Sequence, residues 1–314
     1  METKQHVKQV APAVHSPASQ PRGARRWTLP FGIVMMLPAL IVLAAISLIP
    51  FFYIIWMSFN DVSLLGGVSF SWVGLSNWAQ MFTDPDVRGS WGLSLLYFVA
   101  TVGVEMVLGI AIALLLHEIT TGKNIALSLI LIPMFIAPVI VGLLGRFMLD
   151  PTYGLYSWAL RTSGVFTKPV LGEPVSAFVA VVLMDVWEWT PLIALITLAG
   201  LVSMPYEIIE AAKVDGANYW MRLWNMVFPL IGGVVVVALL IRAMDAIRYF
   251  DVIWLATAGG PADATKIIPL RLYDQAFRFF HLGYAAAIGL GMLVFSIIAA
   301  NLFLGVLKRR DRVR

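Results

Sequence analysis

The chain has no cysteine among its 314 residues, so it can hold neither a disulfide nor a thiolate-bound metal, and its redox compartment is not legible from cysteine usage. Charge is scarce as well: Asp, Glu, Lys and Arg make up 13% of the residues, against 60% hydrophobic. A soluble domain carries about 25% charged residues and cannot bury so large an apolar excess. A soluble globular protein is therefore excluded. The four histidines, His6, His15, His117 and His281, fall in tails or at the edges of apolar runs without ligand spacing, which argues against a metal site. No Gly-x-x-x-x-Gly-Lys-Ser/Thr phosphate loop occurs, and Gly122-Lys123-Asn124 does not supply one. No nucleophile and base stand in a catalytic arrangement, so no catalytic residue is expected. The short alternating segments of an outer-membrane barrel are also missing.

What is present is a series of long apolar runs, at a mean hydropathy of +0.85. They lie at Phe31 to Met57, Ser94 to Leu116, Ile125 to Leu149, Ser176 to Leu198, Val227 to Ile247 and Tyr284 to Leu307. Each is long enough to cross a hydrocarbon core of about 30 Å as a helix rising about 1.5 Å per residue, and a helix satisfies its own backbone in lipid. The expected fold is all-α and polytopic: a disordered tail over 1–30, a six-span domain over 31–307 and a basic tail over 308–314. Pro133 and Pro138 mark kinks in the third run. Gly103 and Gly109, Gly142 and Gly145, and Gly289 and Gly291 are positions where small residues let helices approach.

Basic residues set the orientation. With both termini in the cytosol, thirteen lie inside: Lys4, Lys8, Arg22, Arg25, Arg26, Lys123, Lys213, Arg222, Lys308, Arg309, Arg310, Arg312 and Arg314. Seven lie outside (Arg88, Arg161, Lys168, Arg248, Lys266, Arg271 and Arg278), so the positive-inside rule favours this topology. The net charge of +4 fits anchoring at anionic cytoplasmic lipid rather than nucleic-acid binding. Arg25-Arg26 precede an apolar run too long for a cleaved export signal, so the first span reads as an anchor that stays. The Ala-, Pro-, Ser- and Gln-rich tail before it has little to bury and is expected to be disordered.

The loops are more ordered than simple tethers. The first outside loop, Ser58 to Leu93, holds Gly66-Gly67, Asp84-Pro85 and Trp72, Trp78 and Trp91. Tryptophan there either marks the interface belt or docks an external partner. The last outside loop, Arg248 to Gly283, has the turn Gly259-Gly260-Pro261, then a stretch from Lys266 to Phe280 that reads as a short helix lying at the outer surface. The long cytosolic loop, 199–226, is the most informative. Pro205 begins a helix carrying Glu207 and Glu210 near its positive end, Ala211, Ala212 and Lys213 propagate it, and Gly216 stops it. A second short helix then runs through Trp220, Leu223 and Trp224 to Pro229. The pair presents small and aromatic residues outward, a shape suited to a groove on another protein.

At these residues the chain resembles the permease subunits of bacterial ATP-binding-cassette importers. Their loop signature is Glu-Ala-Ala, three residues, Gly, nine residues, Ile, one residue, Leu-Pro. Here Glu210, Ala211, Ala212, Gly216 and Pro229 match it, and Met226 and Phe228 replace the Ile and Leu, apolar for apolar. Six spans, the motif between the fourth and fifth, and Gly259-Gly260-Pro261 beyond the fifth are similar to the branch that imports oligosaccharides, such as the maltose, glycerol-phosphate and trehalose systems. The resemblance covers the chain after its tail. It implies a bacterial cytoplasmic-membrane subunit that passes a disaccharide, another oligosaccharide or a related polyol. Glu210, Ala211, Ala212, Asp215 and Gly216 would then form a coupling helix in a cleft of a cytosolic ATPase. The implied partners are a second homologous permease, two ATPase subunits that use ATP and Mg, and an extracytoplasmic sugar-binding protein. No cofactor is expected on this chain.

Charges inside the spans carry a second expectation. Glu105, Arg146, Asp185, Glu188, Arg242 and Asp245 lie in or near apolar runs, where each costs about 2.5–3.5 kcal/mol at a helix centre on insertion scales, so they should face protein or water. Asp185 and Glu188 share a helical face, flanked by Trp187, Trp189 and Thr190-Pro191. Carboxylates accept hydrogen bonds from sugar hydroxyls and indoles cover pyranose faces. Asp185, Trp187, Glu188, Trp189, Arg242, Asp245 and Tyr249 are therefore candidates for the substrate pathway. Structural alternatives stand beside this: Arg242 and Asp245 pairing within one helix, Asp185 and Glu188 bridging to a cation such as Arg146, and Glu105 serving as an interhelical acceptor. Functional alternatives are an importer permease for an amino acid or polyamine, a proton-coupled secondary transporter using Glu105 or Glu188, and a non-transporting scaffold.

Overall fold

The structure, a computed structural model, describes residues 31–64 and 67–311. The expected disorder over 1–30, Gly66 and the last three residues of the basic tail lie outside the described residues. The chain divides into two units, 1–50 and 51–314. The described part of the first is the beginning of α1, Phe31–Ser58, which is apolar throughout and contains Pro38 and Pro50.

The second unit is helical apart from one hairpin. After α1 come β1, Asn60–Ser63, and β2, Ser69–Trp72, paired antiparallel with Asn60 opposite Trp72. Next are α2, Ser76–Thr83, and α3, Pro85–Glu118. Asp84 starts α3 by accepting from the backbone N–H groups of Asp86 and Val87, with Pro85 following at the first helical position. The remaining helices are α4, Lys123–Leu131; α5, Pro138–Met148; α6, Leu155–Thr162; α7, Pro174–Val202; α8, Tyr206–Val214; α9, Tyr219–Arg222; α10, Phe228–Ala246; α11, Asp251–Thr257; α12, Ile268–Tyr273; and α13, Leu282–Asp311. Wide turns of the π type join α9 to α10 at Leu223–Val227 and follow α12 at Asp274–Arg278.

Among the described residues, five helices are long and apolar enough to cross a membrane: Met35–Ser58, Pro85–Glu118, Pro174–Val202, Tyr219–Ala246 and Leu282–Leu302. The expected third span, Ile125 to Leu149, is not one helix. It is α4, a short turn over Pro133–Phe135, and α5. Neither proline can donate a backbone hydrogen bond, and each disfavours helix in the residue before it; two prolines five residues apart therefore divide the segment instead of bending it. At the other end, α13 runs through Lys308 to Asp311, past the expected boundary at Leu307.

Helices α3, α7 and α10 pack on one another, α13 lies against α10 and α2, and α5 lies against α11 and α7. Small residues permit the closest approaches. A Cβ at Gly109 would stand 2.6 Å from Ile193 Cβ, so only glycine lets α3 and α7 meet there. Gly142, Gly145, Gly289 and Gly291 also face close neighbours, whereas a Cβ at Gly103 would meet nothing, and that position is not a packing contact. Outside the bundle, Asn77 donates to the Ser58 and Asn60 carbonyls at 3.1 and 3.0 Å, tying α2 to the hairpin, and Trp78 donates to Ser58 Oγ. The last outside loop departs from expectation. Its helix forms as α12, but Ile268 to Arg271 are buried against α3 and α13 instead of lying on the surface.

Candidate functional site

Five of the six charges expected in or near the spans meet at one place. Tyr97, Thr101 and Glu105 recur every four residues on α3, Asp185 and Glu188 project from α7, and Arg242 and Asp245 come from α10. Arg242 is fully buried. Its Nε donates to Glu105 Oε2 at 2.7 Å and its Nη2 to Glu105 Oε1 at 3.0 Å, a two-point clasp between α10 and α3. Nη2 also donates to Asp185 Oδ1 on α7, and Nη1 reaches Asp245 Oδ2 at 3.4 Å. Tyr97 OH donates to the other oxygen of Asp185 at 2.9 Å, and Tyr249 OH donates to Glu188 Oε2 at 2.6 Å. The guanidinium lies over Trp189 and Tyr249, 5.5 and 5.6 Å from their ring centres, and both aromatic faces favour its charge.

This arrangement decides several sequence expectations. Asp185 and Glu188 do point the same way, and both are buried. The cation that pairs with Asp185 is Arg242, not Arg146, which is exposed. The pair within α10 exists but is the longest contact Arg242 makes; Glu105 is the interhelical acceptor. Trp187 is not part of the cluster. It is 49% exposed on the opposite side of α7, because a residue two positions from Asp185 is turned about 200° from it. Tyr97 was not singled out from sequence, although a Tyr, Thr, Glu row at four-residue spacing on an otherwise apolar helix is a readable polar stripe.

Three consecutive residues of α7 keep buried polar atoms without a hydrogen-bond partner among the described residues: Glu188 Oε1, Trp189 Nε1 and Thr190 Oγ1. Buried polar groups are seldom left so. Together they comprise an acceptor, a donor and a group that can be either.

The second candidate region is the loop after α7. Pro205 precedes α8 rather than opening it, with extended backbone. Gly216 has φ of +77°, and the Ala217 N–H bonds back to the Ala212 carbonyl at 3.0 Å, a left-handed glycine stop. Nothing would touch a Cβ at Gly216, so backbone conformation and not space calls for glycine. Asn218 then caps α9 by accepting from the Met221 N–H at 2.8 Å. Sequence reasoning passed over Asn218, though an asparagine just ahead of a helical run is a standard start signal.

Glu210, Ala211, Asp215 and Gly216 are exposed, but Ala212 is 1% exposed and faces inward. The expectation of small residues turned outward therefore holds for Ala211 and Gly216 and fails for Ala212. The neighbouring Ile209 packs on a cluster of Ala113, Leu116, Leu198, Leu201, Leu223 and Val227. The aromatics do turn outward: Trp220 and Trp224 are 66% and 63% exposed, with Tyr219 beside Trp220. The loop thus has an inner apolar side seated on the ends of α3, α7 and α10, and an outer side of charge and indole.

Residues 105–312 match the family model described as "Binding-protein-dependent transport system inner membrane component". The chain is 34% identical over 269 residues to the trehalose/maltose transport system permease protein MalF of Thermococcus litoralis, covering 85% of this chain and 89% of that protein. It is 30% identical over 282 residues to the trehalose transport system permease protein SugA of Mycobacterium tuberculosis, covering 90% and 89%. Its fold is similar to a chain in the crystal structure of a bacterial ABC transporter involved in the import of the polysaccharide alginate, with a TM-score of 0.78, 20% identity, and 88% and 94% of the two chains covered.

Proposed function

The chain belongs to the family of inner membrane components of binding-protein-dependent transport systems, and from that membership and its geometry we propose that it is the translocation subunit of an ATP-driven importer for an oligosaccharide, such as trehalose or maltose, or a related polyol. The loop around Gly216 carries this reading: a helix, a glycine stop and a capped second helix, buried on the inner side and aromatic on the outer. A connector with no partner needs no such outer face. Glu210, Ala211, Asp215 and Gly216 meet a cleft of the ATPase, while Ala212 fixes the helix to the spans, so that movement of the ATPase is passed to α7 and α10.

The substrate class rests on relatives named for trehalose and maltose and on the unpartnered atoms of Glu188 and Trp189. A polyhydroxyl ligand on the Glu188 side of α7 supplies a donor to the carboxylate and an acceptor to the neighbouring indole N–H of Trp189. The Arg242 cluster holds α3, α7 and α10 at that level, so Arg242, Asp185 and Asp245 position the pathway rather than contact the sugar. The complex includes a second homologous permease, two ATPase subunits and an extracytoplasmic sugar-binding protein, with both termini of this chain in the cytosol.

The test is purification of the tagged chain from its native membrane in mild detergent, with mass spectrometry of the proteins that accompany it. Recovery of an ATPase, a second permease and a sugar-binding protein is expected. Recovery of this chain alone, active in vesicles without ATP, would instead establish a secondary transporter.

A further inference from the structure

We propose that a groove bounded by α5, α6 and the start of α7 is a phospholipid site, with an acyl chain lying between α5 and α7 and the lipid phosphate held between Arg161 and Lys168. The groove has a volume of about 1150 Å³ and is lined along its length by Leu144, Met148, Val179, Leu183 and Trp187. Its charged groups, Lys168 and Glu173, lie with Ser176 at one end, where α7 begins, and Tyr156 joins the lining from α6. A groove of this character offers water almost no partners, and hydrocarbon suits it.

The polar end adjoins a second, smaller cavity of about 40 Å³, lined by Ser157, Arg161, Thr167 and Lys168 among others. Arg161 donates from Nε to the carbonyl of Ser157 at 3.3 Å, and among the described residues no carboxylate pairs with it. Lys168 holds Glu173 at 3.0 Å. Two cations and one carboxylate leave the mouth with one positive charge, the complement of a single phosphodiester. Tyr153, Tyr156 and Trp158 are exposed on and beside α6, as aromatic residues are at the depth of lipid headgroups. The net positive charge at the mouth complements a lipid phosphodiester, whereas an apolar helix from another protein would use the groove and not its mouth, so a lipid is the occupant that fits both.

The experiment uses the complete transporter in nanodiscs containing phosphatidylglycerol with a photoactivatable acyl chain, followed by peptide mapping of the label. Labelling at Leu144–Met148 and Val179–Leu183 should exceed that at Ile297 and Ile298, which are exposed on α13 and report non-specific lipid contact. The double variant Arg161→Gln and Lys168→Gln should lower groove labelling by at least about fivefold, given about 1 kcal/mol for each basic residue near an anionic lipid surface, and should leave the α13 labelling unchanged. Groove labelling no higher than that of α13 would overturn the assignment, as would labelling that survives the double substitution. An unlabelled groove would mean that another protein segment covers it, and would overturn the assignment as well.

Discussion

Replacing Arg242 with methionine removes the cation that Glu105 and Asp185 share and leaves the volume nearly filled. Both carboxylates are fully buried, and the substitution takes away the two bonds to Glu105 and the bond to Asp185. Breaking a buried ion pair from one side costs about 3–5 kcal/mol, because the remaining charge is uncompensated. For a chain of this size, roughly 2 °C of melting midpoint follows each kcal/mol, so the midpoint should fall by about 6–10 °C. Glu105→Gln should cost less, on the order of 1–3 kcal/mol, since Asp185 still balances Arg242. A third variant separates stability from function: Glu105→Leu, Asp185→Leu and Arg242→Met together exchange the cluster for apolar packing. That exchange should return most of the lost stability, while uptake stays impaired if the cluster positions the pathway. The assay is thermal unfolding of the purified complex followed by tryptophan fluorescence, with sugar uptake measured in vesicles. An Arg242→Met midpoint within about 2 °C of the parent, or a larger loss from Glu105→Gln than from Arg242→Met, would refute the reasoning.

Gly216→Pro, which cannot adopt a φ of +77°, and Ala212→Trp, which cannot fit a buried position, should both leave ATP hydrolysis running with uptake lost. Normal uptake by both would remove the coupling role. Glu188→Ala should reduce uptake more than it reduces the yield of assembled complex, and unchanged uptake would make Glu188 structural. Gly109→Leu forces α3 away from Ile193 and should destabilise the complex by about 1–3 kcal/mol or more; a melting midpoint equal to the parent's would contradict the close packing of α3 and α7.

Composition and run length were enough to read an all-helical membrane chain, because hydrocarbon admits so few ways to satisfy a backbone. The loop around Gly216 was legible for a similar local reason: its stop is written in one glycine whose φ is positive. The third span was legible in position but not in form, since apolarity locates a crossing and says nothing about how many helical pieces make it. The charge cluster was half legible. Asp185 and Glu188 share a face by spacing alone, but their partners lie 57 and 61 residues away, at Arg242 and Tyr249, and helix periodicity carries no information across that distance. Ala212 shows a similar limit: whether a small residue in a motif faces out or in depends on which side the loop lays against the bundle.

The wide turn over Leu223–Val227 gives α10 one surplus residue at its base, between the capped start of α9 and the span that carries Arg242. A helix with a surplus residue can shift it along the axis without losing its length or many of its hydrogen bonds. Each residue the surplus passes is rotated by about 100° and advanced by about 1.5 Å. The segment therefore admits rotation as well as bending: moving the surplus residue by one position would turn the foot of α10 relative to α9 and change which side chains the span offers to its neighbours.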